Sequence, residues 1–120
     1  MTTQQSQEDS LRRDFLNEEV SGILFIRNYM ELQCDNKRIQ FFAYPTIHTA
    51  EGVFRFGDRG VCQNFIDLIG QVIVEITSEE GVRSRFVFDS GLVVEVRRKD
   101  SPTGETFATV VPPDGFAEYY

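Results

Sequence analysis

Apolar and polar residues alternate along most of the chain, and a period of two is the pattern of a β-strand that buries one face. The even positions from 24 to 34 are apolar with the exception of Asn28, which predicts one long strand. The sequence "DNK" at 35–37 consists of turn-forming residues. The apolar segment "RIQFFAYP" at 38–45 is therefore predicted to return as the partner strand and to end at Pro45.

A helical period interrupts this alternation near the middle of the chain. Four apolar residues recur at the spacing of one helix face: Val61, Phe65, Leu68 and Ile69. They predict a short central helix over 59–69, with Asp58 as its N-cap and Gly70 in the left-handed conformation at its end. A second short helix, with Leu11 and Phe15 on one face, is predicted near the N-terminus.

After the central helix the period of two returns and predicts a three-stranded meander. Its strands are 72–78, 82–88 and 92–96. Facing residues of an antiparallel pair point the same way, so the register that keeps the even positions in the core pairs Ile76 with Ser84. Two three-residue loops remain, Glu79-Glu80-Gly81 and Asp89-Ser90-Gly91. Both end in glycine, which is the pattern of a type I turn followed by a left-handed residue.

The same register assigns the odd positions of the meander to its other face. One cross-strand row is apolar: Ile73, Val87 and Val93. The next row alternates in charge: Glu75, Arg85 and Glu95. Facing opposite charges contribute from a few tenths to about 1 kcal/mol per pair, which suits a solvated face. The apolar row, however, needs a cover, and the two open alternatives are the N-terminal helix and a binding partner, which in a homodimer would be a second copy of the chain.

The Asp89-Ser90-Gly91 loop also resembles the half-site of an aspartic protease, in which two carboxylates share a proton across a dimer axis. The protease pattern is D-[ST]-G-[AS], and here the fourth residue is Leu92. The hydrophobic-Gly segment of such enzymes should follow the aspartate, whereas "LIG" at 68–70 precedes it. The turn accounts for both Asp89 and its glycine, so the sequence favours a turn over a catalytic carboxylate.

Composition and charge restrict the function further. The chain has 12 Lys and Arg against 19 Asp and Glu, a net charge of −7, which argues against nucleic acid and against an anionic membrane surface. No segment is long and apolar enough for a membrane span, and the polar N-terminus lacks the pattern of a secretory signal. Cys34 and Cys62 have no CxxC spacing, which favours two free thiols and a cytoplasmic location.

Candidate catalytic and metal-binding residues are sparse. His48 is the single histidine and lies in "PTIHTAEG", a predicted loop, where it would be a surface residue or an acid–base group. No acidic pair has metal-ligand spacing, and "GDRG" at 57–60 lacks the pattern of a phosphate loop. The sequence therefore predicts no catalytic residue, no metal and no cofactor.

These elements together predict an α+β fold. Shorter strands at 52–56 and 107–111 complete an antiparallel sheet of about six to seven strands around one short central helix. The predicted organisation is a disordered tail over 1–9, one domain over 10–111 and a C-terminal tail over 112–120.

The order of "GILFIRNYMEL", "DNKRIQFFAYP", "FIDLIGQVIVEI" and "VRSRFVFDSGLVVEV" resembles a loosely defined group of small bacterial proteins of unknown function. In this group a strand and hairpin precede a short "LIG" helix and a meander, and a glutamate such as Glu105 often follows. Some members resemble immunity proteins of polymorphic toxin systems. The resemblance implies a fold and a possible protein partner, and it implies no catalytic motif.

The function predicted from these observations is a non-enzymatic protein-interaction domain, an immunity-like or regulatory partner that binds a basic protein surface. Its predicted binding residues are Glu75, Arg85, Glu95 and Glu105. The alternative is a small-ligand-binding or enzymatic domain, with a pocket between helix and sheet that holds His48 or a carboxylate.

Overall fold

The computed structural model describes residues 7–26, 29–102, 104–111 and 117–119. Its helices are α1 (Gln7–Phe15) and α2 (Val61–Ile66). Its strands are β1 (Gly22–Ile26), β2 (Tyr29–Cys34), β3 (Lys37–Phe41), β4 (Thr46–Thr49), β5 (Gly52–Phe54), β6 (Ile73–Glu79), β7 (Arg83–Phe88), β8 (Val93–Arg97), β9 (Phe107–Val110) and β10 (Ala117–Tyr119). A 3-10 turn at Arg98–Asp100 follows β8.

The strands form two antiparallel sheets that share one core. The first sheet has the order β1-β2-β3-β9-β10 and the second has the order β5-β4-β8-β7-β6. Phe41 of the first sheet and Phe86 of the second meet edge to face, with ring centroids 5.9 Å apart. The predicted α+β class and antiparallel pairing are confirmed, and the ten described strands exceed the predicted six to seven. Neither described helix has the length and hydropathy of a membrane span.

The predicted long strand over 24–34 is wrong, because the segment is the β1–β2 hairpin. Ile26 pairs with Tyr29, and Ile23 pairs with Leu32. Each facing pair therefore joins an odd-numbered residue of one strand to an even-numbered residue of the other. The buried face consequently changes from odd-numbered to even-numbered residues between β1 and β2. Leu24 and Ile26 are 40% and 38% exposed, whereas the even positions of β2 are buried.

The partner strand β3 begins after the predicted turn, where Asp35 has a φ of 56°. It ends at Phe41 rather than at Pro45, because the next two backbone N–H groups donate to the carbonyl of Thr106 and the chain leaves the sheet. The segment at 46–49, predicted as a loop, is strand β4 and pairs with β8. His48 therefore lies in a strand.

A bulge in β6 makes the predicted register of the first meander hairpin wrong. Ile73 pairs with Phe88 while Glu75 already pairs with Val87, so Val74 is an extra residue on β6. Ile73 is fully buried and Val74 is 46% exposed, the reverse of the predicted faces.

The two hairpin loops of the meander differ in how well they follow the prediction. Beyond the bulge Ile76 pairs with Phe86 instead of Ser84, and the first loop becomes residues 80–82. The second hairpin has the predicted register, with Phe86 opposite Val94 and residues 89–91 as the loop. Both loop glycines have positive φ as predicted, 75° at Gly81 and 93° at Gly91, but only Gly91 is the third residue of its loop.

The helices lie close to their predicted positions with different ends. Helix α1 buries Leu11 and Phe15 as predicted, and it begins before residue 10, so residues 7–9 are helical rather than part of a tail. Residues 1–6 and most of 112–120 lie outside the described residues. Helix α2 is shorter than 59–69, and its N-cap is Gly60 rather than Asp58. Ile69 is 47% exposed, because the helix has ended before it.

Helix α1 lies along the outer edge of β6. Arg12 Nε donates to the Ile76 carbonyl at 2.9 Å, and the backbone N–H of Ser78 donates to Glu8 Oε1 at 2.7 Å. The backbone at 17–20 continues this contact through hydrogen bonds with residues 70–73. These bonds satisfy polar groups that an edge strand otherwise leaves open.

Candidate functional site: the outer face of the second sheet

The face of the second sheet that points away from the core is called the outer face here, and strand pairing defines its three rows. The first row consists of Val53, His48, Val93, Val87 and Glu75. The second row consists of Thr46, Glu95, Arg85 and Thr77. The third row consists of Arg97, Arg83 and Glu79. Alternating residues of each strand share this face because a strand has a side-chain period of two.

The structure brings together two of the four predicted binding residues. Arg85 lies opposite Glu95 as predicted, and Arg85 Nε is 3.3 Å from Glu95 Oε1. The Glu95 side chain is 12% exposed, so this is a partly desolvated ion pair at the centre of the face. Arg85 Nε is itself buried without a well-formed hydrogen bond among the described residues, which leaves the pair imperfectly satisfied.

The other two predicted binding residues are separate from this pair. The bulge moves Glu75 one row away, where it faces Val87 instead of Arg85. Glu105 lies in the segment before β9 of the first sheet, and its carbonyl accepts a hydrogen bond from Ser101 Oγ at 2.6 Å. The predicted row Ile73–Val87–Val93 is also wrong at its first member, since Ile73 belongs to the core.

Arginines are as numerous as carboxylates on the outer face. Arg83 and Arg97 lie directly opposite each other, which by itself is unfavourable. Each arginine forms a salt bridge with a different carboxylate. Arg83 Nε is 3.5 Å from Glu79 Oε2, and Arg97 Nε is 3.0 Å from Asp100 Oδ2. The outer face is therefore close to neutral, and the net charge of −7 belongs to the rest of the chain.

The three valines of the first row, Val53, Val87 and Val93, are called the apolar row of the outer face, and they stay accessible. Val53 is 45% exposed, and Val87 and Val93 are partly exposed. Helix α1 does not cover them, because Leu11 and Phe15 point into the core. Of the two covers considered from the sequence, the N-terminal helix is thus excluded.

A hollow of about 660 Å³ opens at one end of the outer face and is called the His48 hollow here. Its polar lining includes His48 of β4, Asp67 at the end of α2, Gln71, and Ser90 of the second meander loop. His48 Nε2 lies 3.3 Å from Thr46 Oγ1, and Ser90 Oγ donates to Gln71 Oε1. Within the described residues no carboxylate bonds to His48, so the hollow presents polar side chains without an acid–base pair.

Cysteine and metal chemistry find no site in the described ranges. Both cysteines are free, Cys34 buried and Cys62 exposed. Burial raises the pKa of the Cys34 thiol to about 12, and Glu18 and Asp35 add to the rise, so it is a poor nucleophile. No three His, Cys, Asp or Glu side chains of the described chain stand close enough to hold a metal ion.

One feature beside the outer face has no signal in the sequence pattern. Tyr44, which precedes β4, stacks on Phe56, which follows β5, with ring centroids 4.1 Å apart and planes 11° from parallel. The two residues lie twelve positions apart in segments predicted as a strand end and a third strand. Only the unpredicted β4–β5 hairpin brings them into contact.

Comparison with known proteins gives no match for this chain. No family model matches the chain, and searches of curated proteins and of solved structures give no match.

Proposed function

We propose that the protein is a non-enzymatic protein-interaction domain that binds its partner through the outer face of the second sheet. The observation that supports this most directly is the accessible apolar row beside the central Arg85–Glu95 pair. An apolar strip flanked by polar residues is the composition of a protein–protein interface. The absence of a nucleophile–base pair in the described residues is consistent with binding rather than catalysis.

The partner is a basic protein, and the charge of the whole domain supports this choice. The chain has a net charge of −7, while the outer face is nearly neutral. Long-range attraction would therefore speed the approach of a basic partner, and the apolar row would hold it once it has docked. An immunity-like or regulatory role in the cytoplasm follows from this proposal and from the resemblance to small bacterial domains.

Capture of a partner from the source cell at low and high salt tests the proposal. The wild-type domain should retain a basic protein, and raising the ionic strength should lower the association rate more than it raises the dissociation rate. Recovery of a small metabolite instead of a protein, or capture that does not depend on the salt concentration, would contradict the proposal.

Two matched variants locate the interface. Val53→Lys places a charge in the apolar row and should weaken capture, whereas Val82→Lys makes the same change at a loop residue of similar exposure, 49% against 45%. An equal loss of partner capture in both variants would show that the outer face is not the interface. Sedimentation of the wild-type domain distinguishes the remaining case, in which the partner is a second copy of the chain.

The His48 hollow supports a second candidate function, small-ligand binding. Its volume of about 660 Å³ is within the range of small-molecule sites, and the end of α2 and the sheet both contribute to it, as the alternative from the sequence requires. Mass spectrometry of small molecules that co-purify with the wild type and with His48→Ala tests this. A compound lost only in the variant would favour the hollow over the outer face.

A further inference from the structure

A second, smaller hollow of about 300 Å³ lies at the opposite end of the outer face from the His48 hollow. It is called the Tyr44 corner here, and its lining consists of Tyr44, Thr46, Arg55, Phe56, Arg97 and Asp100. We propose that the Tyr44 corner binds a small aromatic carboxylate. This site lies beside the apolar row, and its ligand is distinct from the protein partner proposed above, although two of its lining residues, Thr46 and Arg97, also belong to the outer face.

The shape of the corner comes from the stacked rings of Tyr44 and Phe56. The two rings form the aromatic wall of the corner, and a third ring, Phe25, lies beside Phe56 at a centroid distance of 6.2 Å. Phe56 nevertheless remains 37% exposed. A flat ring of a ligand would cover this exposed aromatic surface, because aromatic rings pack well in offset or edge-to-face arrangements.

The charge of the corner is positive although the chain is acidic. Two arginines and one aspartate line it, so its net charge is +1. Asp100 holds Arg97 through a contact of 3.0 Å to Nε. Arg55 is exposed and forms no ion pair with any described residue, although its backbone N–H donates to Asp58 Oδ2 at 2.7 Å.

These features select a carboxylate over other anions. A planar guanidinium binds a planar carboxylate through two parallel hydrogen bonds, and a single negative charge balances the single positive charge of the lining. The Thr46 hydroxyl adds a neutral polar group to the lining, although it already lies 3.4 Å from the Glu95 carbonyl oxygen and 3.3 Å from His48 Nε2. The aromatic wall then favours a ring attached to that carboxylate, and the volume limits the ligand to a small one.

Titration of the isotope-labelled protein with benzoate, followed by NMR, tests the proposal. Saturable shifts are expected at Thr46, Arg55 and Arg97, with a dissociation constant in the millimolar range because the probe has few atoms. Benzyl alcohol, which keeps the ring and lacks the charge, should bind about ten-fold more weakly. Equal affinity for the two probes, or shifts that never saturate, would overturn the proposal.

Three variants separate charge, stacking and fold. Arg55→Gln should weaken benzoate binding about ten-fold. Phe56→Leu should weaken it as well while leaving the preference for benzoate over benzyl alcohol. Arg13→Gln is the control, because Arg13 is an exposed arginine of α1 that is paired with its neighbour Asp14, and its variant should bind like the wild type. Unchanged affinity in Arg55→Gln or in Phe56→Leu would refute the site, and spectra that are otherwise preserved show that each variant is folded.

Discussion

Asp89 and Val72 form two hydrogen bonds with each other across the end of the meander. The backbone N–H of Asp89 donates to the Val72 carbonyl at 2.9 Å, and the Val72 N–H donates to Asp89 Oδ1 at 3.3 Å. The carboxylate that resembles a protease residue in sequence therefore ties the second meander loop to the start of β6. Its neighbours complete an ordinary hairpin, in which the Gly91 N–H donates to the Phe88 carbonyl.

The first prediction is that Asp89→Asn changes partner capture and stability little. An asparagine side-chain oxygen can accept the same hydrogen bond from the backbone N–H of Val72. The free energy of unfolding should fall by less than about 1 kcal/mol in denaturant titration. Loss of partner or ligand binding at unchanged stability would restore a functional carboxylate at this position.

The second prediction compares two substitutions in the same loop. Gly91→Val should lower the free energy of unfolding by about 1–2 kcal/mol, because a β-branched residue is strained at a φ of 93°. No atom lies within 4 Å of an added Cβ, so the cost is conformational rather than steric contact. Ser90→Ala removes two exposed hydrogen bonds, one that Ser90 Oγ donates to Gln71 Oε1 and one that it accepts from the Leu92 N–H, and should cost less, about 0.5–1 kcal/mol. A larger loss for Ser90→Ala would contradict the turn assignment.

Local turn chemistry was predictable from the sequence, whereas register across strands was predictable only where no bulge intervenes. Gly91 ends its loop as expected because the loop needs a positive φ at that position and glycine adopts it without a steric cost. Residues 72–74 are all apolar, so either Ile73 or Val74 could face the core and nothing in the pattern reveals the bulge. The bulge is decided by tertiary contacts, since the backbone N–H of Ile73 donates to the Glu18 carbonyl, far away in sequence.

The candidate site shows the same division. Arg85 and Glu95 were placed opposite each other because they lie on the hairpin with the correct register. Glu75 was misplaced by the bulge. His48 was expected in a loop because four residues between a proline and "AEG" are too short to show a strand period. The Tyr44 corner depends on the β4–β5 hairpin and could not be anticipated.

The third prediction concerns the two thiols. The pKa of Cys34 is raised from 9.0 to about 12, mainly by burial, whereas Cys62 is exposed. An aromatic disulfide reagent at neutral pH should therefore modify one thiol per folded chain, at Cys62, and two after denaturation. Since the pKa of Cys34 is higher in the folded state, its contribution to stability is complete below pH 9 and declines as the pH rises towards about 12. In Cys34→Ser the decline of stability with rising pH should be smaller. Rapid modification of Cys34 in the native protein would contradict its burial.

The fourth prediction concerns the protected edge of β6. Arg12→Ala removes the donor to the Ile76 carbonyl and should lower the free energy of unfolding by about 1–3 kcal/mol. It should also increase aggregation, because part of the edge becomes open to pairing with another strand. Light scattering at increasing protein concentration measures this, with Arg13→Ala as the control on the exposed side of the same helix. Identical behaviour of the two variants would mean that α1 does not protect the edge through Arg12.

The fifth prediction concerns Glu31, a buried carboxylate on the side of the first sheet that faces away from the core. Its relative exposure is 2%, and its two oxygens accept hydrogen bonds from Gln33 Nε2 at 2.7 Å and from Gln40 Nε2 at 3.1 Å. Arg38 Nη1 lies 3.7 Å from the same carboxylate, so the buried charge is also balanced. Removal of this acceptor would leave two amide donors without their partner.

Glu31→Gln should therefore lower the free energy of unfolding by about 1–3 kcal/mol, because one of its terminal groups is an NH₂ that faces another NH₂ donor. Glu19→Gln, at an exposed position, should change stability little and serves as the control. The double variant Glu31→Gln with Gln33→Glu restores one carboxylate–amide bond and should recover part of the loss, which a double-mutant cycle measures. Strictly additive effects would show that Glu31 and Gln33 are not energetically coupled, which would contradict the contribution of their hydrogen bond.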